Sequence, residues 1–134
     1  MERQILVIEP DKDDQDNLRE AFESEYDNVK VFIATTEEEV VHLLKTEKML
    51  KIIMEPLLGI HNLTEKTIIE PSYMGGVGLE LFKRFQVLIN TSETEIILHT
   101  AVCKEQLNHI GFPKDIRYYE KPFCEGIFTE EILN

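Results

Sequence analysis

Residues 5–11 of this chain read ILVIEPD, four consecutive apolar residues followed by an acidic turn that contains a proline. A short continuous apolar run of this kind is typical of a strand that is buried on both faces of a parallel sheet. The turn places Glu9 and Asp11 at the carboxyl end of that strand. Because ligand sites of open α/β sheets form at the carboxyl ends of their strands, the segment predicts both a fold class and the position of a site.

Strand and helix patterns alternate along the rest of the chain. Thr36 and Glu39 have the spacing of a capping box at the start of the second helix. Four further strands are predicted, at residues 29–34, 52–54, 96–98 and 116–120. We therefore predict one α/β domain over residues 1–134, a doubly wound five-stranded parallel sheet with helices on both faces.

The segment 57–77 interrupts this pattern, because it is too long for an ordinary loop between a strand and a helix. We predict an irregular insertion here. A partner-binding loop and a disordered excursion are both compatible with its sequence.

Composition excludes several classes of function. The chain has 26 acidic and 14 basic residues and a net charge of −12, which disfavours binding of nucleic acid by this domain. No apolar run is long enough to span a membrane, and the N-terminus lacks the pattern of a signal peptide. We expect a cytoplasmic protein in which Cys103 and Cys124 are reduced thiols.

The ends of the predicted strands carry chemically useful groups. Carboxylates such as Glu9, Asp11 and Glu55 are ligands that Mg²⁺ accepts. The hydroxyl of Thr100 and the ammonium of Lys121 are suited to binding the oxygens of a phosphoryl group, and a carboxylate can attack phosphorus. The pattern favours phosphoryl chemistry or recognition, although solvated acidic residues at strand ends would give the same pattern.

The order of these elements resembles the receiver domain of response regulators, the flavodoxin-like module of two-component signalling, over nearly the whole chain. Thr100-Ala101 is similar to the family's switch threonine and the small residue that follows it. Lys121-Pro122-Phe123 is similar to its Lys-Pro-Phe motif, in which the bond before the proline, here Pro122, is cis. The resemblance implies that Thr100 and Lys121 sense a phosphoryl group and that Tyr118 is the switch aromatic.

Two positions compete for the phosphoacceptor. Counted forward from the second helix, Glu55 falls where the family has its phosphoacceptor aspartate. Counted back from Gly78, Glu70 has the spacing that the family shows between its phosphoacceptor and this glycine. The apolar run before Glu55 is the stronger one and favours it, and both alternatives place a glutamate at the site.

The departures from the family concern the same site. A glutamate is one methylene longer than aspartate, which would displace the attacking oxygen of Glu55. Pro10 stands in place of one acid of the family's acidic pair and has no ligating group. Mg²⁺ binding through Glu9 and Asp11 is therefore possible but weakened, since this ion demands near-ideal geometry.

We thus predict a non-enzymatic pseudo-receiver, a receiver domain of a phosphorelay system that regulates through protein contacts. The alternatives are a fully functional Mg²⁺-dependent phosphoacceptor and, less favoured, an unrelated nucleotide-binding domain of similar topology. The expected partners are a histidine kinase or another signalling protein. The resemblance implies that an output domain or a second copy would bind the face formed by the fourth helix, the fifth strand and the last helix.

Overall fold

The computed structural model of the protein describes residues 2–72, 76–89, 93–122 and 125–134, so Phe123 and Cys124 lie outside the described residues. Within these ranges the chain forms seven strands and five helices. The strands are β1 (Arg3–Ile8), β2 (Val29–Ala34), β3 (Lys51–Met54), β4 (Leu58–Asn62), β5 (Thr67–Pro71), β6 (Glu95–Thr100) and β7 (Tyr118–Glu120). The helices are α1 (Lys12–Glu23), α2 (Glu37–Thr46), α3 (Gly78–Ile89), α4 (Lys104–Ile110) and α5 (Glu125–Leu133).

Five of the strands form a parallel sheet in the order β2-β1-β3-β6-β7. This confirms the predicted α/β fold. The last strand is shorter than predicted and begins at Tyr118 instead of Ile116. The amide of Ile116 bonds to the Pro113 carbonyl at 3.5 Å, so the chain is still in a turn at that point.

The apolar run of β1 explains the layering of the fold. Leu6 and Ile8 belong to the core cluster beneath α2, α3 and α4, while Ile5 and Val7 belong to the cluster beneath α1 and α5. All four side chains are fully buried. Because successive side chains of a strand point to opposite faces, a strand that lies between two helical layers is apolar at every position.

The prediction of an irregular segment at 57–77 was wrong for the residues of β4 and β5. Strands β4 and β5 pair in an antiparallel hairpin that forms a separate two-stranded sheet. The hairpin is attached to the turn before α2, because the Ile69 amide donates to the Thr35 carbonyl at 2.8 Å. Leu58 and Ile69 are buried in the core beneath α2 and α3, and this burial stabilises the hairpin.

The helices are short, and α1 and α3, with 12 residues each, have the greatest length among those described. None of the described helices is long and apolar enough to cross a membrane.

Candidate functional site

A cavity of about 280 Å³ opens at the carboxyl end of the parallel sheet. Charged and polar residues line its floor and its rim, and these are Glu9, Asp11, Asp14, Glu55, Ser72, Thr100 and Lys121. Apolar groups form its walls, including Pro10, Leu57, Pro71, Ala101 and Val102. The cavity therefore lies at the edge of the sheet where the sequence predicted a site.

Lys121 is the centre of the cavity floor. Its Nζ lies 2.7 Å from Glu9 Oε1, 2.8 Å from Asp14 Oδ2 and 3.2 Å from Glu55 Oε1. The Lys121 side chain is 15% exposed, and those of Glu9 and Glu55 are 3% and 12% exposed. One ammonium thus bridges three carboxylates that are contributed by three different elements.

The backbone explains why these groups meet. Glu9 directly follows β1, and Glu55 directly follows the neighbouring strand β3, where its amide continues the sheet by donating to the Ile8 carbonyl at 3.0 Å. Lys121 directly follows β7, and its amide donates to the Thr100 carbonyl at 2.8 Å. The peptide bond between Lys121 and Pro122 is cis, as the resemblance implied.

The charges of the cluster are not balanced, because three carboxylates face one ammonium. Burial raises the pKa of Glu9 to about 7, although the contact with Lys121 acts in the opposite direction. Desolvation penalises the charged form of a buried carboxylate, and the nearby Glu55 charge adds to that penalty. Burial lowers the pKa of Lys121, but the hydrogen bonds that its ammonium donates to Asp14 and Glu9 raise the pKa by more, so this side chain stays charged.

Glu55, and not Glu70, follows a strand of the parallel sheet. Both of its carboxylate oxygens have partners, because Oε1 contacts Lys121 and Oε2 accepts the Leu57 amide at 3.2 Å. Glu70 is an exposed residue of β5, paired opposite Gly59 in the hairpin. The cavity therefore contains Glu55, the residue selected by counting forward from the second helix.

The residues around the cavity do not fit a Mg²⁺ ion. Asp11 is exposed and caps α1, where its Oδ1 accepts the Asp14 amide at 2.9 Å. Pro10 offers no ligand, and Lys121 occupies the space between the remaining carboxylates. Within the described ranges no group of three or more acidic, histidine or cysteine residues is placed to hold a metal ion.

Asp14 is the site residue that the sequence analysis missed. It lies in the first turn of α1, where acidic residues favour the helix dipole irrespective of any site. One feature of the sequence could have identified Asp14 as a site residue. It comes three residues after Asp11, the cap of α1, and so lies on the side of the first turn near the strand ends.

Thr100 and Tyr118 lie on the neighbouring strands β6 and β7, two positions apart in register, because Tyr118 pairs with Leu98 and Thr100 with Glu120. Thr100 is fully buried, and its Oγ1 accepts a long hydrogen bond of 3.5 Å from the Val102 amide. The Tyr118 hydroxyl donates to the Val102 carbonyl, and burial raises its pKa. Tyr119 points to the opposite face and donates to Glu131 at 2.7 Å. The switch role of Tyr118 stays a prediction.

His99, a residue of β6, packs against α5. It is 1% exposed, and its ring centroid lies 5.2 Å from that of Phe128 in α5. Burial lowers the pKa of His99 to about 4, and the positive charge of Lys121 contributes to the shift. The imidazole is therefore neutral at neutral pH.

No protein-family model matches the sequence, and no curated protein matches it. Solved structures are similar to it along nearly its whole length. A response regulator from Thermotoga maritima superposes with a TM-score of 0.73 at 17% identity, covering 99% of this chain and 96% of its own. The chemotaxis protein CheY4 of Vibrio cholerae gives a TM-score of 0.68 at 14% identity, with 99% and 98% covered.

A two-component response regulator from Clostridium difficile gives a TM-score of 0.65 at 23% identity, with 98% of this chain and 96% of that one covered. Likeness at such low identity establishes the fold. The chain has the CheY-like, flavodoxin-type fold of receiver domains, as the sequence resemblance predicted.

Proposed function

We propose that this chain is a receiver-type regulatory domain of two-component signalling that acts through protein contacts and is not phosphorylated. In this proposal Glu55 is a permanent negative charge at the phosphoacceptor position. The observation that carries the proposal is the contact of Glu55 with Lys121 at 3.2 Å, at the carboxyl end of β3. A carboxylate imitates only part of a phosphoryl group, so we assign it a structural role within the signalling domain.

The geometry of Glu55 supports the absence of phosphorylation. A nucleophilic carboxylate needs an oxygen that is free to attack phosphorus in line, and both Glu55 oxygens already accept hydrogen bonds. Two further carboxylates, Glu9 and Asp14, lie beside the same ammonium and repel an incoming anion. The exposed Asp11, which caps α1, is a further carboxylate and brings no positive charge to offset this repulsion.

The alternative of a nucleotide-binding domain has less support. A cavity of about 280 Å³ is at the small end of the range of ligand pockets. Its floor carries three carboxylates and one ammonium, and this excess negative charge disfavours the phosphates of a nucleotide.

The distribution of charge supports a protein partner with a basic surface. Charge is concentrated at the end of the fold formed by the last residues of the parallel strands, the loops that follow them, the β4–β5 hairpin and the first turns of α1 to α4. Among the described residues this end contains thirteen of the 26 acidic but four of the 14 basic residues, so it carries −9 of the net −12. The acidic residues are Glu9, Asp11, Asp13, Asp14, Glu37, Glu38, Glu39, Glu55, Glu65, Glu70, Glu80, Glu105 and Glu120, and the basic ones are Lys12, Lys66, Lys104 and Lys121. Such an asymmetric field steers association with an oppositely charged surface.

We propose a histidine kinase or another cytoplasmic signalling protein as the partner at this acidic end. The face formed by α4, β7 and α5 is the proposed contact for an output domain or a second copy of the chain. These assignments rest on the likeness of the fold and on the charge distribution. In this role the domain is a regulatory module and not an enzyme.

The proposal is tested by the intact mass of the protein after incubation with acetyl phosphate and Mg²⁺. The wild type is compared with a Glu55→Asp, Pro10→Asp double variant and with a Glu70→Asp, Pro10→Asp control. We expect a base-labile phosphoryl adduct on the Glu55→Asp variant alone. An adduct on the wild type would show a working phosphoacceptor, and one on the Glu70→Asp control would move the site to the hairpin. If none of the three gains an adduct, the assignment of Glu55 to the phosphoacceptor position loses its support.

A further inference from the structure

Three carboxylate oxygens converge on a single point of the cavity, the Nζ of Lys121. Glu9 Oε1, Asp14 Oδ2 and Glu55 Oε1 lie 2.7, 2.8 and 3.2 Å from it. Carboxylates that converge in this way are the usual ligands of a hard divalent cation, and here they surround an ammonium. The three carboxylates are thus suited to binding a metal ion, but the ammonium leaves no room for one between them.

We infer that Lys121 is the resident cation of this cavity, that its ammonium excludes divalent cations from the wild-type protein, and that its removal creates a divalent cation site from Glu9, Asp14 and Glu55. This inference concerns the affinity for metal ions. It contains no phosphoryl transfer, and it therefore stands or falls separately from the proposed function.

The position of the ammonium is set by the backbone. The Lys121 amide donates to the Thr100 carbonyl at 2.8 Å. This bond directly follows the Thr100–Glu120 pair, which is the last pair between β6 and β7. A cation that is covalently attached and held in this way is present at a high effective concentration, with which a free ion must compete. The side chain of Lys121 is 15% exposed, so it has lost much of the water that would stabilise it elsewhere.

Electrostatics act in the same direction. A divalent cation that entered beside the ammonium would be repelled by it in a partly buried region, where charges are screened less than in water. The remaining nearby carboxylate, Asp11, is occupied as the cap of α1 and does not complete a ligand set outside the cluster.

The distances also predict which ion the emptied site would prefer. Oxygens about 3 Å from a common point need to move inward by roughly 0.5 Å to reach the ligand distances of Ca²⁺, and by roughly 1 Å to reach those of Mg²⁺. Glu9 and Glu55 are anchored to neighbouring strands of the sheet, which limits such movement. The site left by Lys121 is therefore expected to bind Ca²⁺ more tightly than Mg²⁺.

The experiment measures the thermal midpoint and the binding isotherm of three proteins with CaCl₂ and with MgCl₂. They are the wild type, Lys121→Met and Lys104→Met. Lys104 is an exposed lysine at the start of α4, so the control removes the same charge near the same edge of the sheet without touching the cluster. We expect saturable binding of one Ca²⁺, with a rise in the thermal midpoint, for Lys121→Met alone. Addition of Glu9→Gln to Lys121→Met should abolish both.

Two results would overturn the inference. The first is saturable binding of Ca²⁺ or Mg²⁺ by the wild type that is lost in Glu9→Gln, because the ammonium would then not exclude the ion. The second is a folded Lys121→Met variant, judged by circular dichroism, that binds no better than Lys104→Met. If Lys121→Met does not fold, the same measurements are made on Lys121→Gln, which removes the charge but keeps a side chain that donates to carboxylates. A folded Lys121→Gln variant that binds no better than Lys104→Met would likewise overturn the inference.

Discussion

The Asp14 carboxylate lies 2.8 Å from the Lys121 ammonium, and 107 residues of chain separate the two. Asp14 belongs to the first helix, and Lys121 follows the last strand of the parallel sheet. The contact therefore ties the two ends of the fold together at the edge where the cavity opens. The same ammonium contacts Glu9, whose burial raises its pKa and so couples its protonation to folding.

Glu9 should make the protein less stable as the pH rises. Because burial raises its pKa from 4.5 to about 7, the folded protein keeps a proton that the unfolded chain releases between these values. The free energy of unfolding therefore decreases from about pH 4.5 to pH 7 through this group. Glu9→Gln should remove that decrease, measured by urea denaturation across the range. Glu70→Gln, which changes an exposed carboxylate, is the control, and a variant that retains the wild-type slope would refute the assignment.

His99 should have the opposite effect. Its pKa is lowered from 6.5 to about 4, so the unfolded chain takes up a proton between these values that the folded protein does not. The free energy of unfolding then falls as the pH is lowered from about 6.5 to 4, by up to about 3 kcal/mol. His99→Leu should reduce this loss of stability at acidic pH. His61→Leu, which replaces an exposed histidine of β4, should leave it unchanged. Equal acid sensitivity of the two variants would contradict the prediction.

The β4–β5 hairpin should depend on the burial of Ile69. This side chain is 3% exposed in the core cluster beneath α2 and α3, whereas Leu63, in the connection between β4 and β5, is 51% exposed. We expect Ile69→Ala to lower the free energy of unfolding by about 2–4 kcal/mol. Leu63→Ala should change it by less than about 0.5 kcal/mol.

Hydrogen exchange provides a second measurement on the same pair of variants. In Ile69→Ala the amides of residues 58–62 and 67–71 should exchange faster than those of β1 and β3, because the hairpin loses its main anchor while the parallel sheet remains. Uniform acceleration across the whole chain would instead mean that the hairpin and the sheet unfold as one unit.

Gly78 should tolerate no side chain. A Cβ at this position would lie 1.8 Å from the Pro56 carbonyl oxygen, a backbone atom that cannot move independently of the chain after Glu55. Gly78→Ala should therefore destabilise the protein by about 3 kcal/mol or more. At Gly126, in α5, an added Cβ would meet nothing within 4 Å, so Gly126→Ala should stabilise by about 0.5–1 kcal/mol. Both variants are tested by thermal denaturation. Equal changes in their thermal midpoints would show that the backbone near Gly78 can move to accommodate a Cβ.

Several local features were predictable because they depend on few neighbours in the sequence. Thr36 caps α2 as its spacing indicated, with its Oγ1 accepting the Glu39 amide at 3.1 Å. The hairpin was not predictable in the same way. Its register pairs Ile60 with Ile69 and joins Ile68 to Thr36, and such pairings depend on how separate segments meet in space.

The sequence by itself determined the alternation of five parallel strands with helices, because apolar periodicity reports how each short segment is buried. It also determined which residues follow the strands, and thus that Glu9, Glu55, Thr100 and Lys121 share one edge of the sheet. Only the tertiary structure decided that Lys121 bridges three carboxylates, that Asp14 is one of them and that Asp11 is not. The physical reason is that side chains at a shared edge compete for partners within about 3 Å, a distance that the path of each loop sets and that no local pattern records.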